Sequence, residues 1–199
     1  MVVEFWMARL DQPLSDAETQ CLTAALPEQR RERLARLKSA DWQREPLCAY
    51  WLLRHALQTC CGITELPPME HTPSGKPYFP GRPELHFSIS HTDGAVMVGL
   101  ADREIGVDIE RIRPVKAGML RRFGCAAEAS FFDVWVRREA RAKRTGSPVE
   151  LGQESVLLQS EQIVYPESFP GYAACGVWLG EETPRLHHLT MEQLLQEIE

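Results

Sequence analysis

The 199-residue sequence is 44% hydrophobic and 25% charged, a composition typical of an ordinary globular protein. No apolar run is long enough to cross a membrane and the first residues lack a signal peptide's basic start, so we expect a cytoplasmic protein. A net charge of -6 disfavours general binding to nucleic acid, whose protein partners are usually basic. The six cysteines lack CxxC spacing, which predicts reduced thiols and no zinc site.

The first half of the chain predicts one strand, three helices and, after a proline-rich loop, two further strands. Ser15 and Glu18 form the capping-box pattern of a helix start. Pro46 is tolerated only in the first turn of a helix, and Gly62 supplies a helix stop. The predicted elements are a strand at 2–10, helices at 14–25, 28–37 and 40–59, a loop at 66–83, and strands at 86–90 and 95–101.

The second half predicts a similar alternation of helices and strands. The predicted elements are a strand at 104–110, helices at 119–122 and 131–144, strands at 155–158, 162–165 and 173–179, and a short helix from Met191. A helix followed by strands in both halves hints at a duplicated α+β unit, divided into residues 1–101 and 102–199.

Two carboxylates stand two residues apart in the predicted strand Gly106-Val107-Asp108-Ile109-Glu110. Side chains alternate along a strand, so Asp108 and Glu110 share one face while Val107 and Ile109 point into the core. Two carboxylates this close repel each other unless a cation lies between them, and hard oxygen ligands favour Mg²⁺, Mn²⁺ or Ca²⁺ over zinc. An arbitrary Asp-x-Glu pair is more often a solvent-facing strand edge, so its surroundings decide between the two interpretations.

Those surroundings contain a helix on which Trp135, Glu139 and Lys143 recur at four-residue spacing and hence share one face. Glu139 and Lys143 alone would be a surface ion pair worth a few tenths of a kcal/mol. Trp135 on their side indicates partial burial, where a carboxylate needs a compensating cation and a lysine can reach a phosphate.

Two further segments carry groups that suit an anionic ligand. The loop Ser74-Gly75-Lys76-Pro77 combines a tight backbone approach with a positive charge, and Ser90-His91 places a hydroxyl and an imidazole near a strand end. Each signal is weak alone.

A basic stretch also lies between positions 30 and 44, where only Glu32 and Asp41 oppose the cations: Arg30, Arg31, Arg33, Arg36, Lys38 and Arg44. It suits an anionic ligand or an acidic partner, although a solvated helix face is the more common explanation.

Taken together, the motifs from 75–77, 86–92, 105–110 and 135–143 resemble those of the 4′-phosphopantetheinyl transferases, in particular the monomeric type that activates nonribosomal peptide synthetases. The resemblance covers most of residues 1–146. It implies an α+β fold of two similar halves related by a pseudo-twofold axis, with the active site in the cleft between them. It also implies transfer of the phosphopantetheine arm of coenzyme A to a serine of an apo acyl or peptidyl carrier protein, with release of adenosine 3′,5′-bisphosphate.

The resemblance further implies roles for individual residues. Asp108, Glu110 and Glu139 match metal ligands for Mg²⁺, with Mn²⁺ as an alternative, and Glu139 also matches the general base. Lys143 matches the residue that contacts the pyrophosphate. The positions that hold coenzyme A correspond to Arg44, Gly75, Lys76, Pro77, Ser90 and His91. A monomer would suffice for one complete cleft.

The sequence departs from the family pattern at a few positions, of which the short segment after Glu128 and Pro148 bear on partner choice. The family usually has Asn at Ser88 and Lys at Arg138. The segment between Glu128 and Glu139 is short, and Pro148 replaces a common glycine. Two alternatives stay open. The short segment and Pro148 suggest a coenzyme A-binding homologue that no longer transfers, although all three acidic positions are retained. An acid pair followed by Glu-x-x-x-Lys on a helix also suits a metal-dependent nuclease, which the acidic pI disfavours.

Overall fold

The computed structural model describes residues 2–36, 43–152, 156 and 158–196, and the fold is of the α+β class. Nine strands lie in this part of the chain: β1 (Glu4–Arg9), β2 (Glu70–His71), β3 (Pro77–Tyr78), β4 (His86–Thr92), β5 (Ala95–Ala101), β6 (Ile105–Arg111), β7 (Glu161–Val164), β8 (Tyr172–Leu179) and β9 (Arg185–Leu189). Six helices accompany them: α1 (Asp16–Ala24), α2 (Glu28–Ala35), α3 (Arg44–Cys61), α4 (Ala117–Arg122), α5 (Glu128–Thr145) and α6 (Met191–Leu195).

The strands form two main sheets. The first has the order β4-β5-β1-β9 and the second the order β6-β8-β7, while β2 and β3 form a small separate pair. β4 and β5 are antiparallel neighbours joined through Asp93 and Gly94. β6 follows β5 directly but pairs with β8, so the chain changes sheet between Ala101 and Ile105.

The first sheet packs against α3, and this contact forms the larger core. Every residue of β5 is buried, and so is the apolar face of α3, including Leu52, Leu53 and Leu57. The predicted helix signals are confirmed. Ser15 and Glu18 form the capping box of α1, Pro46 lies in the first turn of α3, and Gly62 ends α3 in the left-handed conformation with φ 68°.

The second sheet carries α5 on one face. Gly106 in β6 permits this packing, because a Cβ there would lie 1.9 Å from the carbonyl oxygen of Ala140 and 2.5 Å from the amide nitrogen of Arg144. The helix is therefore in backbone contact with the strand that bears Asp108 and Glu110. α5 begins at Glu128, three residues before the predicted start.

The end of the chain returns to the first sheet. β9, which the sequence did not predict, pairs with β1 in parallel, and the indole Nε1 of Trp51 donates to the carbonyl of Leu194 in α6 at 2.8 Å. Residues 185–196 therefore pack with the N-terminal strands, whereas the predicted boundary had placed them in the C-terminal half. The division into two similar halves with a pseudo-twofold axis stays a prediction.

The remaining differences concern single elements. The predicted strand at 155–158 includes residues 155 and 157, which lie outside the described residues, and Val156 and Leu158 are not in a strand. The predicted end of the second helix at Leu37 and the predicted start of the third at Ala40 also lie outside the described residues, as do Lys38 and Asp41. None of the six cysteines forms a disulfide bond. Among the described residues, no helix has the length and apolar character needed to span a membrane.

Candidate active site

The two predicted carboxylates lie on β6 as the alternation of its side chains predicts. Val107 and Ile109 are buried in the core, at 0% and 1% exposure. Asp108 is also buried, at 4% exposure, whereas Glu110 is partly exposed. The pair is therefore more deeply enclosed than a solvent-facing strand edge.

Asp108 has two partners at one oxygen and none at the other. Its Oδ1 accepts hydrogen bonds from Ser90 Oγ and from Lys143 Nζ, each at 2.7 Å, and Lys143 also donates to Ser90 Oγ at 2.9 Å. Its Oδ2 is buried without a hydrogen-bond partner. Burial raises the pKa of Asp108, and the charge and hydrogen bonds of Lys143 and Ser90 offset that rise only in part.

Glu110 is already engaged by neighbouring groups. Its Oε2 accepts from Thr92 Oγ1 at 3.2 Å and from Arg113 Nη1 at 2.8 Å. Neither Thr92 nor Arg113 was among the predicted site residues. Since Arg113 is 56% exposed in its side chain, this ion pair adds little stability and is easily exchanged.

The helix α5 brings the third carboxylate to the same place. Glu139 is half-buried, and burial together with the charges of Asp108 and Glu110 raises its pKa, while Lys143 opposes the rise. Trp135 is partly buried and stacks with Phe131 at 6.0 Å between ring centroids. The prediction that this face of the helix is partly buried is therefore confirmed.

The chemistry of Asp108, Glu110 and Glu139 determines whether they can bind a cation. Within the part of the chain that the structure describes, no three His, Cys, Asp or Glu side chains are placed as the ligands of a metal ion. An oxygen of Asp108 nevertheless lacks a partner, and Glu139 lies close enough to Asp108 and Glu110 for their charges to add to the effect of burial that raises its pKa. Oxygen donors with these properties fit a hard divalent cation.

A pocket of about 760 Å³ opens beside Glu139 and Lys143, and neither Asp108 nor Glu110 lines it. Six of the ten predicted site residues line it: Gly75, Lys76, Pro77, His91, Glu139 and Lys143. Ser90 lies behind the wall with its hydroxyl on Asp108. Arg44 faces a neighbouring pocket of about 640 Å³, which shares Pro46 and His91 with the first, and it is paired with Glu45 at 2.6 Å.

Two basic groups of the pocket have lowered pKa values. Burial lowers the pKa of Lys76, whose Nζ donates to the carbonyl of Arg144 in the last turn of α5. Desolvation by the surrounding protein, followed by the charge of Lys143, lowers the pKa of His91. An anion bound in the pocket would favour the protonated forms of Lys76 and His91 and would therefore interact favourably with both.

Arg30, which the sequence predicted only as part of a basic surface, lines the pocket. It is 5% exposed, its Nη2 lies 2.8 Å from His71 Nε2, and its guanidinium lies over the ring of Tyr50 at 5.3 Å. All three residues line the pocket. The four-residue spacing from Arg30 to buried Leu34 is the sequence signal that could have placed Arg30 on the inner face of α2.

The end of α5 and the loop at 74–76 form the far wall. Gly146 caps the helix with φ 71°, and a Cβ there would lie 2.6 Å from Ser74 Oγ. Ser147 and Pro148 also line the pocket. The departure from the family pattern at Pro148 thus falls on the pocket wall.

Comparison with known proteins identifies relatives over most of the chain, although no family model matches it. The chain is 27% identical over 185 residues to a 4′-phosphopantetheinyl transferase of Bacillus subtilis, covering 83% of this chain and 81% of the relative. It is 25% identical over 167 residues to the 4′-phosphopantetheinyl transferase Sfp of Bacillus subtilis strain 168, with 77% and 75% covered. It is 32% identical over 114 residues to the 4′-phosphopantetheinyl transferase AcpT of Salmonella typhi, with 49% and 59% covered.

Over most of its length the chain is therefore similar to a group of transferases, the 4′-phosphopantetheinyl transferases. Sfp is one of these relatives.

Proposed function

We propose that the protein transfers the 4′-phosphopantetheine group of coenzyme A to a serine of an apo acyl or peptidyl carrier protein and releases adenosine 3′,5′-bisphosphate. Besides the named activity of the relatives, one observation supports this most strongly. A buried carboxylate and a half-buried carboxylate with raised pKa values, Asp108 and Glu139, adjoin a lysine at the edge of a pocket lined with basic groups. Such a site combines a proton acceptor with charges that neutralise a pyrophosphate.

The reaction needs one proton acceptor and one in-line displacement. The serine Oγ of the carrier forms a bond to the phosphorus that bears pantetheine, and the bond from that phosphorus to the bridging oxygen of the bisphosphate breaks. We assign Glu139 as the group that accepts the serine proton, directly or through a water molecule, because its raised pKa makes it a better base than an exposed carboxylate. The leaving bisphosphate carries away the bond electrons.

Positioning and charge neutralisation supply most of the catalysis of such a transfer. Lys143 stands between the carboxylates and the pocket, where its ammonium can contact the pyrophosphate. Asp108, Glu110 and Glu139 would hold Mg²⁺ or Mn²⁺, which when bound neutralises charge on the pyrophosphate oxygens.

Basic groups of the pocket would hold the remainder of coenzyme A. Lys76, His91 and the buried Arg30 line the pocket and suit its phosphates, while Gly75 and Pro77 border the same space. Burial removes Arg30 from the outer surface, so carrier recognition by that residue is disfavoured. The predicted roles of Arg44 and Ser90, which do not line this pocket, stay predictions, as do the monomeric state, the cytoplasmic location and the lack of nucleic-acid binding.

The test is a transfer assay read by mass. The protein is incubated with coenzyme A, Mg²⁺ and several apo-carrier proteins, and the intact carriers are weighed for a phosphopantetheine adduct on serine. We expect the adduct with the wild-type chain and its loss with Glu139→Gln. The matched control is Asp133→Asn, which removes an exposed carboxylate from the same helix and should leave the rate unchanged.

Two results would contradict the proposal. Coenzyme A binding without modification of any carrier would favour a binding protein that no longer transfers. Cleavage of labelled DNA or RNA that depends on Glu139 would favour a nuclease.

A further inference from the structure

The outer edge of β6 has an unusual set of hydrogen-bond partners. β8 pairs with one edge of this strand, and the backbone N–H groups of the other edge face β4, which belongs to the other sheet. In a continuous sheet, backbone carbonyls would accept from those groups. Here three side-chain hydroxyls of β4 accept instead.

The three contacts repeat with a constant offset along the two strands. The amide of Val107 donates to Ser88 Oγ at 3.1 Å, and that of Ile109 donates to Ser90 Oγ at 3.3 Å. In the same way the amide of Arg111 donates to Thr92 Oγ1 at 3.3 Å. The hydroxyl residues stand two apart on β4, so they share one face of that strand. We call this series the hydroxyl ladder.

Two rungs of the hydroxyl ladder also bind the carboxylates of the site. Ser90 Oγ donates its proton to Asp108 Oδ1 at 2.7 Å, and Thr92 Oγ1 donates to Glu110 Oε2 at 3.2 Å. A hydroxyl has a single proton to donate. Because each of these hydroxyls accepts from an amide of β6 and donates to the neighbouring carboxylate, its rotation is fixed at both ends.

The third rung has no carboxylate to bind. Ser88 accepts from the amide of Val107, but the residue that precedes Val107 is Gly106, where α5 packs against the strand. Ser88 thus joins the two sheets in the same way as Ser90 and Thr92, without touching the acidic pair. A variant of Ser88 therefore serves as the control that separates a structural role of these hydroxyls from a positioning role.

We propose that Ser90 and Thr92 are positioning residues that orient Asp108 and Glu110 for a divalent cation. Ser90 holds Oδ1 of Asp108 towards β4, which leaves the unpartnered Oδ2 for the cation. Thr92 holds one oxygen of Glu110 in the same manner. Outer partners of metal-binding carboxylates fix their orientation and strengthen metal binding. The inference rests on the proposed function, since it concerns the metal of that reaction.

The experiment measures Mn²⁺ binding to the free protein by electron paramagnetic resonance, without coenzyme A. We expect Ser90→Ala and Thr92→Val each to weaken Mn²⁺ binding about 10-fold, as is typical when such outer partners are lost. Thr92→Ser keeps the hydroxyl and should bind like the wild type. Ser88→Ala loses the same kind of amide contact and should lower the melting temperature without changing Mn²⁺ affinity.

The outcomes separate the two roles and the two proposals. Equal losses of Mn²⁺ affinity in the Ser88, Ser90 and Thr92 variants would mean that the hydroxyl ladder only joins the two sheets. Failure of the wild-type chain to bind Mn²⁺ would overturn the inference. Thr92 is only partly buried, so Thr92→Val decides the question if Ser90→Ala does not fold. Failure of the proposed function would instead show as unmodified carriers in the transfer assay while the Mn²⁺ ranking persists.

Discussion

Gly106 offers a direct test of how the fold positions the candidate catalytic groups. In Gly106→Ala the added Cβ would lie 1.9 Å from the carbonyl oxygen of Ala140 and 2.5 Å from the amide nitrogen of Arg144. Both of these atoms belong to the backbone of α5. No side-chain rotation can relieve the clash, so the whole helix must move relative to β6.

The size of the movement follows from the same distances. Ordinary van der Waals contact begins near 3.4 Å, so the carbonyl of Ala140 must retreat by about 1.5 Å. Overpacking of this kind lowers the free energy of unfolding by about 1–3 kcal/mol. Since α5 also carries Glu139 and Lys143, the variant misplaces both groups. A displacement of about 1 Å at a reaction centre costs on the order of 100-fold in rate.

Urea unfolding and the carrier transfer assay measure the two effects. The matched control is Gly118→Ala in α4, where an added Cβ meets no atom within 4 Å and the stability should stay equal or rise slightly. A Gly106→Ala protein with the stability and rate of the wild type would refute the argument that backbone contact at Gly106 sets the position of α5.

Two further predictions concern groups outside the pocket. Burial raises the pKa of the fully buried Glu161 carboxylate, but hydrogen bonds and charges of Arg141 and Arg144 outweigh that effect and hold the pKa below its ordinary value of 4.5. Glu161→Gln should lower the free energy of unfolding at pH 7 by about 3–5 kcal/mol, and the difference should shrink as pH falls below 4.5, because a depressed pKa stabilises only the ionised form. A loss below about 1 kcal/mol in urea unfolding at pH 7 would contradict this. Burial raises the pKa of Cys48 to about 12 and that of Cys60 to about 11. Both thiols should therefore resist alkylation at pH 8 until urea unfolds the chain, which peptide mass mapping can measure. Labelling of the native and the unfolded protein at equal rates would contradict this prediction.

The elements that the sequence predicted correctly are those whose signals are local. β5 is an uninterrupted apolar run, and the capping box at Ser15 and the left-handed stop at Gly62 depend only on neighbouring residues. β9 was missed because its five residues are Arg185-Leu186-His187-His188-Leu189, with no buried face of their own. That strand forms through pairing with β1, about 180 residues earlier in the chain, and such pairing leaves no local pattern.

In the candidate site, too, the features that follow from local sequence were predicted and those that depend on tertiary packing were not. The shared face of Asp108 and Glu110 follows from strand geometry, and the shared face of Glu139 and Lys143 follows from helix geometry. Their convergence depends on the contact at Gly106, which a sequence pattern does not reveal. The hydroxyl contacts of Ser90 and Thr92, and the enclosure of Arg30 with His71, depend on tertiary packing in the same way.

Lys143 connects the two roles that sequence reasoning kept apart, a contact to phosphate and a neighbour of the acidic pair. Its ammonium donates to Asp108 Oδ1 and to Ser90, and its side chain is 31% exposed towards the pocket. A buried carboxylate needs a positive partner, and here Lys143 provides it. On the proposed function, a phosphate that draws the ammonium away from Asp108 would increase the demand of that carboxylate for another cation. Ligand binding in the pocket and cation binding at the acidic pair would then be thermodynamically coupled.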